Sequence, residues 1–481
     1  MIYMMTSLEK ARLQLETWCV ARARAGLVRG SRLVVEQQAR SVLASGELRE
    51  LMQDADLQGL LTAEEHGAML DHLSLAARDE ILARAHVEPL LANGVKRFQK
   101  VSRRLHEWAH LALEDHDPLV RAQAMKAVAH ADDLRRTRRI EAMEEARELA
   151  SKVRRRGPRS NDSDPDELAR KASKFLDTTA DAARELMTYM ARSRGVKRPR
   201  TALDMFVLLR GAGNPWRAST HDRPRRIASM LGPLGLQDEF ARRAKLGEAH
   251  RELDFNARIV TINPPHDVVI LPPPLELGLI TELSMTHAIG RGLATILVAP
   301  GLPPALRRAW PGSFARGLGE LFTGLYTEPG FLRRAHGLSG TELEGVALSS
   351  LALVLFRARM LAAYMVSSEL EGQDRIEGGR EQLAHAFVCT DGTVPDALAD
   401  ASTLTPDERR ADLRAALVAP SIAFALRERF DEDWFRNPRV EEPIRAASAR
   451  GGAFSIEAWA AEFGVNTHRP HHWFTTKVRT V

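Results

Sequence analysis

The chain has almost no cysteine. Its two thiols, Cys19 and Cys389, are too few for a disulfide framework, and no CxxC pair is present to hold a metal or run redox exchange. Aromatic residues are sparse, at 6% of the chain, and only four are tyrosines. The basic run Arg154-Arg155-Arg156 has no interleaved ring, so it lacks the stacking platform of a single-strand binder. An excess of one charge sign is missing too. Lys and Arg total 68 against 63 Asp and Glu, a net charge of +5, which describes a mixed solvated surface and gives no reason to expect nucleic-acid binding. The most apolar stretch, Val346 to Val366, is interrupted by Arg357 and Arg359. Two guanidiniums near its middle make it a poor bilayer span and a good buried helix. No basic, apolar and small-residue segments follow one another at the N-terminus as in a secretory leader. No P-loop or GxGxxG pattern appears, and Gly211-Ala212-Gly213 lacks the preceding strand. These absences predict a soluble cytoplasmic protein with no membrane and no nucleic-acid partner. Arg far outnumbers Lys, and Ala and Leu abound, as in a GC-rich bacterial chain.

What is present is helical periodicity. Apolar residues recur at three- and four-residue spacing over Leu8–Ala25, Arg32–Met52, Glu64–Ala85 and Asn93–Leu113. Asp117 and Pro118 suit the cap and first position of a further charged helix running to about Val153. Residues 154–165, RRRGPRSNDSDP, are polar and rich in breakers. The chain therefore divides into an N-terminal helical region (1–152), a linker (153–166), a second helical region (167–252), a core (253–465) and an irregular tail (466–481). The strongest β signal is Ala257 to Leu271, where two β-branched runs flank Asn263-Pro264-Pro265-His266-Asp267. The expected fold class is mainly α, with one small sheet edge beside a central cleft.

After that β segment come ELGLITELSMTHAIGRGLATIL and, past a Pro-rich break, SFARGLGELFTGLYTEPGFLRR. This layout resembles the gluzincin metallopeptidases, and within them the thimet oligopeptidase-like family. There, a sheet edge leads into a helix bearing HExxH, whose two His bind zinc and whose Glu activates water, and a later helix supplies a carboxylate ligand. The family's HExGH segment matches His287-Ala288-Ile289-Gly290-Arg291, and its third-ligand helix matches Ser313 to Leu325. The resemblance implies ligand positions at His287, Arg291 and Arg316, and the general-base position at Ala288. Further on, Pro406 to Arg429 matches a segment whose tyrosines hold the tetrahedral intermediate, and those positions fall on Glu408 and Asp412.

The departures shape the functional reading. Two guanidiniums stand where a divalent cation should sit, and they stay protonated. The general base is an alanine. A zinc cofactor and catalysis are therefore expected to be lost. The expected function is that of a pseudo-peptidase that binds a peptide or protein, or pairs with an active homologue as a partner subunit. The alternative is an active hydrolase with a relocated site, for which Glu282 and His266 are candidate ligands. Arg291 and Arg316 read either as ion-paired filling of the old cleft, with Glu320 at i,i+4 from Arg316 as the ready partner, or as an anion site. His468, His471 and His472 beside Trp473 and Phe474 suggest a docking tail. His385 and Cys389 stand at helical i,i+4 spacing, but no orienting partner is evident.

Overall fold

The computed structural model describes residues 7–27, 50, 62–84, 95–115, 117, 119–131, 141, 145, 148, 165–193, 201–209, 223–250, 256–273, 278–308, 312–367, 372–389, 406–465 and 470–480. The helix expected over Arg32 to Met52 lies almost wholly outside these residues. So do the linker before Pro165 and the break at Gly211 to Pro215.

The described chain is mostly helical. Helices α1 (Ser7–Leu27) and α2 (Ala63–Arg84) share a small core of Leu15, Trp18, Met69 and Leu73, which reaches Ala305. The stretch Asn93 to Leu113 is not one helix. It is a hairpin, β1 (Val95–Phe98) and β2 (Val101–Arg104), followed by α3 (Leu105–Glu114). Phe98 pairs with Val101 across a two-residue turn in which Gln99 and Lys100 take φ of 45° and 70°. Two consecutive positive φ angles are what a tight hairpin needs. The three-residue spacing of Val95, Phe98 and Val101 imitates a helix in sequence. Asp117 accepts the Leu119 N–H at 2.8 Å, as a cap for the helical residues 119–131.

Next come α4 (Pro165–Thr178), α5 (Ala180–Ser193), α6 (Ala202–Leu209), α7 (Arg223–Leu231) and α8 (Gln237–Arg243). The second sheet has the order β3 (Ala244–Leu246), β5 (Asp267–Leu271), β4 (Arg258–Asn263). The β4–β5 hairpin is where the β-branched runs placed it. Strand β3 was not expected, and it adds in parallel to β5. Strand β4 is one edge, beside β5, with its register irregular between Thr261 and Asn263. There the Arg308 guanidinium donates to the Thr261 and Ile262 carbonyls at 3.0 and 3.1 Å, and Arg307 donates to Pro264 at 3.2 Å. Helix α1 packs on the same strand. At this bulged end the edge expected to face a cleft is already covered.

Helices α9 (Leu279–Ile296), α10 (Ser313–Gly324), α11 (Pro329–His336) and α12 (Gly340–Ser367) follow, then α13 (Gly372–Ala386), α14 (Pro406–Phe430), α15 (Glu441–Ala449), α16 (Ile456–Glu462) and α17 (Pro470–Thr480). Gly337, at φ 70°, ends α11 in the left-handed conformation and donates to Arg333 and Leu332. The tail is not irregular. Pro470 opens α17, where a first-turn proline costs no hydrogen bond, and Phe474 is fully buried against α4. Among the described residues, α12 is the one helix long and apolar enough to cross a membrane, and 83% of its most apolar window is buried inside the protein.

Arg359 explains how α12 carries a charge through the core. The side chain is 0% exposed. Its guanidinium donates to the Leu176 carbonyl at 2.7 Å, the Thr179 hydroxyl at 2.5 Å, and the Ala386 and His385 carbonyls at 2.7 and 2.8 Å. Those carbonyls end α4 and α13, so the cation meets the negative ends of two helix dipoles.

Candidate functional site

Helices α9 and α10 cross with glycine on both sides. A Cβ on Gly290 would lie 2.7 Å from the Leu318 carbonyl and 2.8 Å from Gly319 Cα. One on Gly319 would lie 2.7 Å from the His287 ring. The bare backbones let the helices approach closely and set the His287 imidazole over Gly319.

Around this crossing the fold gathers most of the residues singled out in the sequence. Arg316, only 3% exposed, reaches across from α10 to α14. Its guanidinium donates to Asp412 and stands 3.6 Å from Glu408. Both carboxylates are buried. Burial alone would lower the Arg316 pKa, but the Asp412 and Glu408 charges outweigh it and raise it. The expectation that Glu320 pairs with Arg316 is wrong. Glu320 lies one turn along the same helix, offset by a few tens of degrees, and meets Arg357 of α12 and His287 of α9 instead.

His287 Nε2 sits 3.5 Å from Glu320 Oε1 and makes no hydrogen bond. Burial drives its pKa well below the usual histidine value, and the charges of Arg357, Arg291 and Arg316 push it further. A neutral imidazole therefore touches a carboxylate already neutralised by Arg357, and the contact is not an ion pair. Arg291, one turn beyond His287, is only partly exposed. Burial, then the Arg316 charge, lower its pKa to about 10, while Asp412 and Glu408 pull it up. It remains a cation at neutral pH. Ala288 is buried and brings no chemistry.

The donors assembled at His287, Arg291 and Arg316 do not fit zinc. Structural or catalytic zinc takes three nitrogen, sulfur or oxygen ligands, with the fourth position closed or open to water. Here one imidazole is surrounded by guanidiniums, and the nearby carboxylates Glu320, Asp412 and Glu408 are engaged by Arg357 and Arg316. Among the described residues, no group of three or more His, Cys, Asp or Glu is placed to hold a metal ion. The relocated-ligand candidates do not form a site either. Glu282 is buried, which raises its pKa, and it accepts from Tyr326 at 2.7 Å and pairs with Arg226 at 3.2 Å. His266 is exposed in the β4–β5 turn.

Arg357 was missed in the sequence, where it registered only as an interruption of an apolar run. A cation inside a buried helix demands buried acceptors, an acid among them or not, and that demand was the available signal. The His385–Cys389 pair does not keep helical spacing, because α13 ends at Ala386 and Val388 takes φ 48°. His472 is exposed on α17, and the His468 and His471 side chains lie outside the described residues.

No family model matches the chain, and no curated protein does. Solved structures do. PZ peptidase A with an inhibitor matches 96% of this chain and 86% of its own at 12% identity and TM-score 0.66. A chain from Bacillus anthracis str. Ames assigned as an oligoendopeptidase F matches 95% and 84% at 12% identity and TM-score 0.60. The M32 carboxypeptidase of Deinococcus radiodurans R1 matches 98% and 99% at 12% identity and TM-score 0.54. At such identity the likeness is one of fold: the chain has the helical architecture of these peptidases, as the sheet edge and the α9–α10 pair had suggested.

Proposed function

We propose that this chain is a pseudo-peptidase of the gluzincin type, thimet oligopeptidase-like, which has lost zinc and hydrolysis and acts by binding a peptide or protein, or as the partner subunit of an active homologue. The observation that carries this reading is the Arg316 ion pair with Asp412 and Glu408. Three positions that the resemblance assigns to a metal ligand and two transition-state donors hold instead one buried charge cluster that satisfies itself. Such a replacement preserves a packed cleft floor while removing Lewis acid, base and oxyanion donors together. With Ala288 at the base position, the residue that would take a proton from water in the family's active members brings no base. The same reading places the protein in the cytoplasm, where two free cysteines are unremarkable.

Elemental analysis of unchelated protein, zinc titration by calorimetry and cleavage of a quenched peptide library test it together. The expected result is no stoichiometric metal, no tight zinc isotherm and no turnover. One tight metal per chain with chelator-sensitive cleavage would overturn it and favour an active hydrolase with a relocated site.

A further inference from the structure

We propose that Arg291 is the anchor of an anion site that takes a carboxylate of a bound peptide. This deepens the binding role above and rests on it. The case begins with how the charges at the α9–α10 crossing are partnered. Arg316 is engaged by Asp412 and Glu408, Arg357 by Glu320, Arg226 by Glu282, and Arg414 lies 3.7 Å from Glu457. Arg291 differs from all of them. Among the described residues its guanidinium makes no hydrogen bond and no ion pair; only its main-chain carbonyl is used, accepting from Thr295 at 3.0 Å. Asp412 and Glu408 act on it only through their field, against the field of Arg316 and Arg357.

An unfilled guanidinium in such a place has a definite chemistry. Its five N–H donors form a fork whose geometry matches a carboxylate, two parallel hydrogen bonds at once. Arg291 is half-buried, while Arg316, Asp412 and Glu408 are buried. The cation therefore keeps some access to solvent beside acids that are already taken. Among the described residues no group offsets its desolvation by direct contact, so the fold carries the cost until an external anion supplies the missing acceptor. The Asp412 and Glu408 charges act at the same place and disfavour a dianion. A singly charged carboxylate fits better than phosphate. Arg316 does not share in the site, since it is buried and engaged by Asp412 and Glu408.

The test uses the full-length protein and calorimetry with four probes: a pool of N-acetylated hexapeptides with free C-terminal carboxylates, the same pool as C-terminal amides, the amidated pool with one Glu per peptide, and inorganic phosphate. The proposal expects binding of the free-acid pool, of the Glu-bearing amide pool, or of both. The first would identify a chain terminus as the ligand, the second a side chain. Arg291→Gln should weaken that binding tenfold or more. Arg291→Lys, which keeps the charge without the fork, should fall between. Arg291→Gln should also keep or raise the Tm, since it removes an unpaired cation; a variant that unfolds would show that the guanidinium has an internal partner and would overturn the site. Equal affinity for acid and plain amide pools, binding of phosphate alone, no binding at all, or unchanged affinity in Arg291→Gln would each overturn it as well. None of these failures touches the metal and turnover result, which tests the loss of catalysis separately.

Discussion

Arg316 on α10 donates to Asp412 on α14, 96 residues away in sequence, and the two side chains are each only 4% exposed. Glu408, one turn earlier on α14, faces the other end of the same guanidinium at 3.6 Å. Removing one member of such a group leaves charge buried without a partner. Arg316→Met should therefore lower stability by about 3–5 kcal/mol, whereas Arg316→Met/Glu408→Leu/Asp412→Leu, which removes every member, should come within about 1–2 kcal/mol of the parent. Chemical denaturation of the single and triple variants decides. A triple variant as unstable as the single one would show that the cluster is held by something besides its charges.

That relationship marks where sequence reading stopped. The β4–β5 hairpin was legible because β-branched runs and a Pro-rich turn are local signals. Helices α9 and α10 were legible for the same reason, and the positions of Glu408 and Asp412 followed from a resemblance in spacing. Their contact with Arg316 was not legible. Charge attraction has no periodicity, and Glu320 was nearer in sequence. The choice between them depends on which way each side chain points round α10, a matter of a few tens of degrees set by the Gly290–Gly319 crossing. The β1–β2 hairpin and α17 were missed for opposite reasons: one has apolar spacing that imitates a helix, and the other reads as an irregular tail although its proline acts as a first-turn residue.

Arg359 should be irreplaceable by either an apolar or a basic residue. Arg359→Met leaves the carbonyls that end α4 and α13 without their donor, each unmet group costing about 1–3 kcal/mol. Arg359→Lys keeps the charge, but one ammonium cannot reach Leu176, Thr179, His385 and Ala386 together. Both variants should lose several kcal/mol in denaturant titration. Rescue by lysine would mean that charge alone matters there and that the forked geometry does not.

The protein should lose stability on mild acidification. His72 is buried, with Nε2 3.3 Å from the Ala305 carbonyl, and its pKa is lowered from 6.5 to about 4. Burial is the main cause, and the Arg308 and Arg22 charges add to it against the Ala305 carbonyl. His287 is shifted in the same direction. Below pH 6.5 the unfolded chain binds protons at these rings and the folded chain does not. Stability therefore falls as pH drops from 6.5 toward 4, by about 1.4 kcal/mol per pH unit for each fully shifted histidine. Unfolding midpoints between pH 7 and 4.5 should fall, and His72→Leu should make the slope shallower. A slope identical in parent and variant would show that His72 is protonated in the fold.

The crossing of α9 and α10 should tolerate a single added methyl poorly. Alanine at Gly290 would drive its Cβ to 2.7 Å from a backbone carbonyl, and alanine at Gly319 to 2.7 Å from both the His287 ring and its carbonyl. Backbone cannot yield as a side-chain tip can, so each substitution must part the helices, at about 1–3 kcal/mol. Gly345, exposed in α12, is the internal control: a Cβ there meets nothing, and replacing a helical glycine by alanine should gain about 0.5–1 kcal/mol. The two outcomes have opposite sign for the same chemical change, so thermal melts of the three alanine variants separate close packing from helix propensity. If Gly290→Ala and Gly319→Ala also stabilise, the helices have room to part, and the orientation of His287 toward Glu320 is not fixed by that crossing.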